Sequence, residues 1–146
     1  MIGAANNTVS TNYFRGYISN VRIVKGAAVY TSNFTPSTTP LTAISGTSLL
    51  TCQSNRFKDN SSNNFAITVT GTPTVQAFEP FEPTASYSAA TYGGSGYFSG
   101  SSQSLSVPVN STFNFAGDFT IEFFAYATSA DASEHIPINA WNYGSG

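Results

Sequence analysis

Apolar and polar residues alternate over short runs separated by turn formers, a period of two that predicts antiparallel strands with two unlike faces. The run at 17–24, Y-I-S-N-V-R-I-V, sets Tyr17, Val21 and Ile23 on one face and Ile18, Asn20 and Arg22 on the other, and Lys25-Gly26 ends it. Further strands are predicted at 48–52, 65–70, 96–99, 104–107, 118–126 and 136–140. The clearest is 118–126, where Phe119, Ile121 and Phe123 alternate with Thr120, Glu122 and Phe124. No stretch carries apolar residues at i, i+3, i+4 and i+7, so helix is limited to a single turn near 112–115, after Asn110-Ser111. The expected fold class is all-β, an antiparallel β-sandwich.

Composition strengthens this reading. Of 146 residues only 8% are charged, whereas Ser, Thr and Asn number 21, 18 and 13, and 14% are aromatic. Many aromatic and β-branched residues with little charge are the reverse of the disordered pattern, so the chain is expected to fold. A net charge of −2 without a Lys/Arg cluster disfavours nucleic-acid binding, because nothing would neutralise a phosphate backbone. No uncharged apolar run approaches the ~18–20 residues of a membrane span, and no secretory signal is visible, so membrane insertion is not expected. Cys52 and His135, each the single residue of its type, build neither an internal disulfide nor a four-ligand zinc site.

Two Pro-containing stretches divide the chain. Residues 33–47 read as an extended connection, since the residue before each Pro is pushed toward β or polyproline geometry. Residues 78–84 form another, and Phe34, Phe78 and Phe81 are expected to pack onto a sheet.

Several segments carry a family resemblance: F-R-G-Y-I-S-N-V-R-I-V-K-G (14–26, extending to 36), S-L-L-T-C-Q (48–53), F-K-D-N-S-S-N-N-F-A-I-T (57–68), G-Y-F-S-G-S-S-Q-S-L-S-V-P (96–108) and G-D-F-T-I-E-F-F-A-Y (117–126). Together they resemble the laminin-G-like, concanavalin A-like jelly-roll repeats of bacteriophage virion structural proteins, cyanophage-type repeats especially. In that family the first segment closes a repeat and the others open one, yet here the closing segment comes first. The order implies closing strands of one repeat at 1–40, a connection at 41–47 and opening strands of a second repeat at 48–146. Alternatively 1–146 is one permuted sandwich, in which 14–24 pairs with 96–107 and 118–126, or pairs by strand exchange between subunits. The resemblance implies a non-enzymatic structural module of an extracellular fibre or virion, such as a tail fibre or capsid-surface protein. Its implied partners are copies of itself or other fibre subunits. A carbohydrate-binding adhesion module recognising surface glycan is the alternative.

Candidate chemistry is sparse. Glu122 is the one carboxylate lying mid-strand, with Asp118 at the strand entrance, and the paired carboxylates of glycosidases are missing. Glu122 is instead expected to pair with Arg15, Arg22 or a backbone amide. Cys52 lies in an apolar strand, where a free Cys behaves as a small buried hydrophobe, and no triad surrounds His135. No catalytic residue and no obligate cofactor is expected. Calcium is the one metal considered, because laminin-G-like folds often hold it. Asp59 and Asn60 in D-N-S-S-N offer oxygens, although the same sequence is an ordinary Asx turn. For sugar, an exposed ring among amides and hydroxyls is required, which points to Tyr92, Trp141 and Tyr143, with Tyr87 and Tyr97 as further aromatics.

Overall fold

A computed structural model describes residues 1–5, 12–81, 88–129 and 137–139. Its organising element is β1 (Arg15–Lys25), flanked along its length on one side by the antiparallel strand β7 (Phe119–Ala127). Two short antiparallel strands divide its other side end to end. Strand β2 (Thr47–Thr51) pairs with Val21–Val24, and β5 (Ser95–Ser99) pairs with Arg15–Ile18. Strand β4 (Thr74–Gln76) extends the sheet beyond β5. A smaller antiparallel sheet joins β3 (Thr68–Thr70) to β6 (Ser104–Ser106), and Ile2 bridges both Leu105 and Ile138 beside it. Among the described residues, helix is confined to one turn of α1 (Ala89–Tyr92) and a 3-10 turn at Ser111–Phe113. The fold is thus mostly antiparallel strand, as the alternation predicts.

The core lies between these layers. Ile18, Val21, Ile23, Leu49 and Phe98 from the large sheet meet Ile2 and Leu105 from the small one, with Phe14 and Cys52 filling the same cluster. Ile121 and Phe123 pack against it from β7. Burial of side chains of this kind stabilises by about 1.5–3 kcal/mol each before ordering entropy is set against it.

One expectation about β1 is corrected. Its faces do not follow simple alternation, because the pairing with β7 slips between Ser19 and Arg22, and Asn20 there adopts a left-handed φ of 56°. Asn tolerates that conformation better than most residues, and an extra residue in one strand reverses the parity of everything beyond it. Ile18 therefore joins Val21 and Ile23 in the core, while Tyr17 turns to the opposite face with Arg22.

The bulge sits where β2 gives way to β5, and buried polar groups close that junction. Asn20 N–H donates to the Cys52 carbonyl at 3.0 Å, the Ser19 hydroxyl donates to the Gly94 carbonyl at 2.6 Å, and Asn20 Oδ1 accepts from Leu41 N–H at 2.7 Å. Asn20 is fully buried, so each of these bonds replaces a water contact that the site no longer offers. At the start of β1, Gly16 has φ 142°, and a Cβ there would collide with the Tyr126 carbonyl, so only glycine permits this approach of β1 to β7.

Other boundaries shift for local reasons. The strand expected over 65–70 begins only at Thr68, because Asn64 is left-handed at φ 47° and Phe65 N–H is taken by Asp59. The helical turn expected near 112–115 starts at Ser111, where Asn110 Oδ1 caps Thr112 N–H at 2.9 Å. The run expected at 136–140 is represented among the described residues by a single bridge at Ile138. Period-two alternation predicts neither β4 nor α1.

Candidate functional site: one closed strand edge, one open edge and an aromatic face

Of the sugar candidates, Tyr92 and Tyr97 fall among the described residues, and no ring contact joins them. Tyr92 is half-buried in α1, and no aromatic pair among the described residues includes it. Trp141, Tyr143, Tyr87 and His135 lie outside the described residues. Of the two that are described, Tyr97 joins a ring cluster. Register explains that cluster: Tyr17 is opposite Tyr97 in β5 and Tyr126 in β7. The ring centroids of Tyr17 lie 5.0 Å from Tyr97 and 6.3 Å from Tyr126, and Phe78 closes the group at 4.4 Å from Tyr17. Tyr126 and Phe78 stay 57% and 49% exposed, which leaves an aromatic surface on the face of the large sheet away from the core. Phe81 meets Phe124 edge-on nearby, so the segment from Phe78 to Phe81 lies on the sheet as expected.

Asp59 and Asn60, the calcium candidates, belong to a different device. Asp59 is fully buried, and its carboxylate faces four donors: Oδ1 accepts from Leu50 N–H at 3.1 Å and Ser61 N–H at 2.9 Å, and Oδ2 accepts from Ser61 Oγ and Phe65 N–H, both at 2.9 Å. Asn60 N–H donates to the Leu50 carbonyl at 2.7 Å, and the Asn63 amide donates to the Ser48 carbonyl at 2.9 Å. The Asn60 side-chain amide turns to Gln53 Oε1. Leu50 and Ser48 are residues of β2, so the loop supplies by side chain and backbone what a neighbouring strand would otherwise supply to that edge. Donors converging on a carboxylate anchor a turn, whereas a calcium ion takes a cage of oxygen acceptors.

Glu122 pairs with Arg22 across β1 and β7, one of the partners the sequence offered. Arg22 Nε and Nη2 lie 2.7 and 2.6 Å from Glu122 Oε1, and Tyr30 Oη donates to Oε2 at 2.6 Å. Arg22 also donates to the Thr42 carbonyl at 2.8 Å, which ties the 33–47 connection to the sheet. Side-chain exposures of 8% and 16% make this a largely buried ion pair, worth little as net stability but costly to break from one side. The Glu122 carboxylate raises the Tyr30 hydroxyl above its ordinary pKa, chiefly through their hydrogen bond, with burial and the carboxylate charge adding to it. Tyr30 stacks on Phe34 at 3.9 Å and Val29 N–H reaches Thr120 Oγ1 at 2.9 Å, so the chain after β1 is strapped across β7. Cys52 is buried completely, and burial pushes its thiol up to about 12, so it is no nucleophile at neutral pH.

The second edge of the large sheet is open. Among the described residues β7 pairs with β1 alone. Gly26 N–H bonds the Asp118 carbonyl and Thr128 N–H bonds the Arg15 carbonyl. With β7 regular between them, its even-numbered residues turn their backbone groups toward β1. Phe119, Ile121, Phe123, Ala125 and Ala127 therefore turn N–H and C=O outward. Glu122 is the one charged side chain in this nine-residue strand, and Arg22 already holds it.

A third feature is an apolar cavity of about 280 Å³ between the two sheets, lined by Ile2, Ile23, Leu49, Leu105, Phe113 and Phe115 among others. Among the described residues no three His, Cys, Asp or Glu side chains gather to hold a metal. Comparison with protein-family models, with curated proteins and with solved structures finds no match to this chain.

Proposed function

We propose that this chain is a non-enzymatic structural module that joins copies of itself or other subunits into an extracellular fibre or a virion surface, such as a phage tail fibre or capsid-surface protein. The observation that carries this reading is the outer edge of β7, nine residues long and unpaired among the described residues, with outward backbone groups and no free charge in the strand. Natural sheets blunt such edges with Lys, Pro, bulges or short strands unless pairing is their purpose. In this reading 1–146 forms one permuted jelly-roll sandwich of the laminin-G-like kind. The pairing of β1 with both β5 and β7 supports that arrangement over two half-repeats. Sedimentation of the purified chain across concentration tests the proposal: ordered multimers support it, and a compact monomer throughout counts against it.

A second reading, a module that binds surface glycan, draws on the exposed rings of Tyr126 and Phe78 beside Tyr17 and Tyr97. The apolar face of a pyranose stacks on such rings. Glycan-array binding that disappears in Tyr126→Ala would favour it; no binding by the folded chain would remove it.

A further inference from the structure

We infer that the open edge of β7 is a homotypic docking strand, pairing antiparallel with β7 of a second copy in a register centred on Phe123. The inference rests on the assembly reading above and specifies its partner and geometry.

Three features of the strand converge on this register. The outward-facing residues are all odd-numbered, so a two-fold related pair must place odd opposite odd to make its hydrogen bonds, and centring on Phe123 brings all nine residues of both strands into the ladder. On the core-facing side, this sets Phe119 opposite Ala127 and Ile121 opposite Ala125 of the second copy, a bulky residue facing a small one in both pairs, with Phe123 opposite its own copy at the two-fold axis. On the other side Thr120 meets Tyr126 and Glu122 meets Phe124. The strand is bulky then small on one face and polar then aromatic on the other. Antiparallel pairing with itself matches both gradients at once. Moving the centre to Glu122 would set the two Glu122 side chains directly opposite each other, and like charges in that position are destabilising.

Cross-linking between single-cysteine additions tests the register. Thr120 and Tyr126 of two copies form a non-hydrogen-bonded pair, with Cα atoms about 4.5 Å apart, inside the range a disulfide spans. Mixing Thr120→Cys with Tyr126→Cys under mild oxidation is expected to give a covalent dimer, whereas either variant alone gives none. Cys52 is fully buried and does not compete. Two further variants test the edge itself by sedimentation, with circular dichroism to establish that each is folded. Ala125→Pro removes an outward N–H and no bond within the chain, and Ala125→Lys sets a charge on the edge; each is expected to weaken self-association by at least about tenfold. Should folded Ala125→Pro and Ala125→Lys associate as the parent chain does, or should the single-cysteine variants cross-link alone as readily as in the mixture, the β7 interface is wrong while the assembly reading stands. If the parent chain is monomeric even at about 1 mM, the weak limit of useful association, both fall. Pairing of β7 with a different protein would show as a monomer that forms no mixed disulfide with itself, which also overturns the inference.

Discussion

The two long edges of the large sheet are treated in opposite ways. At β2 the loop from Asp59 to Asn63 folds back and satisfies Ser48 and Leu50, so the edge is closed within the chain by polar atoms. Beyond β5 the outermost strand, β4, is three residues long and follows Pro73 directly, so that side offers little to a pairing strand. At β7 nine residues extend for about 30 Å, and among the described residues no strand pairs with their outer backbone groups. Among the described residues the chain covers the β2 edge in this way and not that of β7. The contrast makes β7 informative: among the described residues it is the one long edge of this sheet that the chain itself leaves unpaired.

The largest effect is expected where the closed edge is unpicked. Asp59→Ala strips the acceptor from three backbone N–H groups, those of Leu50, Ser61 and Phe65, and from the Ser61 hydroxyl. Buried donors left unmatched cost about 1–3 kcal/mol each, so a loss of about 4 kcal/mol or more in urea unfolding is expected. Asp59→Asn, which retains one acceptor oxygen, should lose less. If the side chain served a cation instead, chelator would lower the melting temperature of the parent chain; an unchanged melt is expected.

Next comes the ion pair that fastens β7 to β1. Arg22→Ala leaves Glu122 largely buried with Tyr30 as its remaining donor, and a loss of about 3 kcal/mol is expected. Arg22→Met with Glu122→Leu, removing both charges together, should recover much of that loss. A double variant as unstable as Arg22→Ala would show that the pair does more than compensate its own desolvation.

How far these edges could be read from sequence differs between them. Alternation located β1, β2, β5, β6 and β7 to within a residue or two, because period-two burial is a local property. It misassigned Tyr17, since one left-handed Asn reverses the parity and nothing local announces it. Strand β4 escaped notice because three residues behind a Pro become a strand only by pairing with β5. The D-N-S-S-N turn was legible as a turn, yet its target, β2, was not, as the contact depends on where the chain returns. Likewise Arg22 was a visible partner for Glu122, while Tyr30 was not. The aromatic face needed the register that brings residues 17, 97 and 126 together. Of the open edge, sequence showed the scarcity of charge; that no strand among the described residues covers it depends on neighbours in space.

Alkaline pH gives a graded effect, smaller within any one pH unit, that separates the junction beside β2 from the strap across β7. Cys52 has its folded pKa raised from 9.0 to about 12, so below pH 9 both folded and unfolded chains keep the proton and stability is undiminished. Between pH 9 and about 12 the unfolded thiol ionises while the folded one does not, and stability falls by about 1.4 kcal/mol per pH unit. Tyr30, also raised, adds to the loss once pH passes its ordinary value of 10.0. Cys52→Ala should flatten the first part of this dependence and Tyr30→Phe the later part. A Cys52→Ala profile that still declines from pH 9 would place the titrating group elsewhere.

The smallest change in stability is expected at the open edge itself, and that smallness is diagnostic. Ala125 is exposed, its N–H and C=O point away from β1, and its side chain is not among those packed on the core. Ala125→Lys should therefore alter the unfolding free energy of the monomer by no more than about 0.5 kcal/mol, measured at a concentration where the chain is unassociated. The neighbouring Phe124→Pro, whose backbone faces β1, should cost several times as much, about 3 kcal/mol, by removing a ladder bond. Set against Ala125→Pro, and with Phe124→Ala to account for the lost contact with Phe81, the difference reports which way each backbone group points. Equal losses at 124 and 125 would mean that both sides of β7 are engaged within the chain, and the contrast between its edge and that of β2 would disappear.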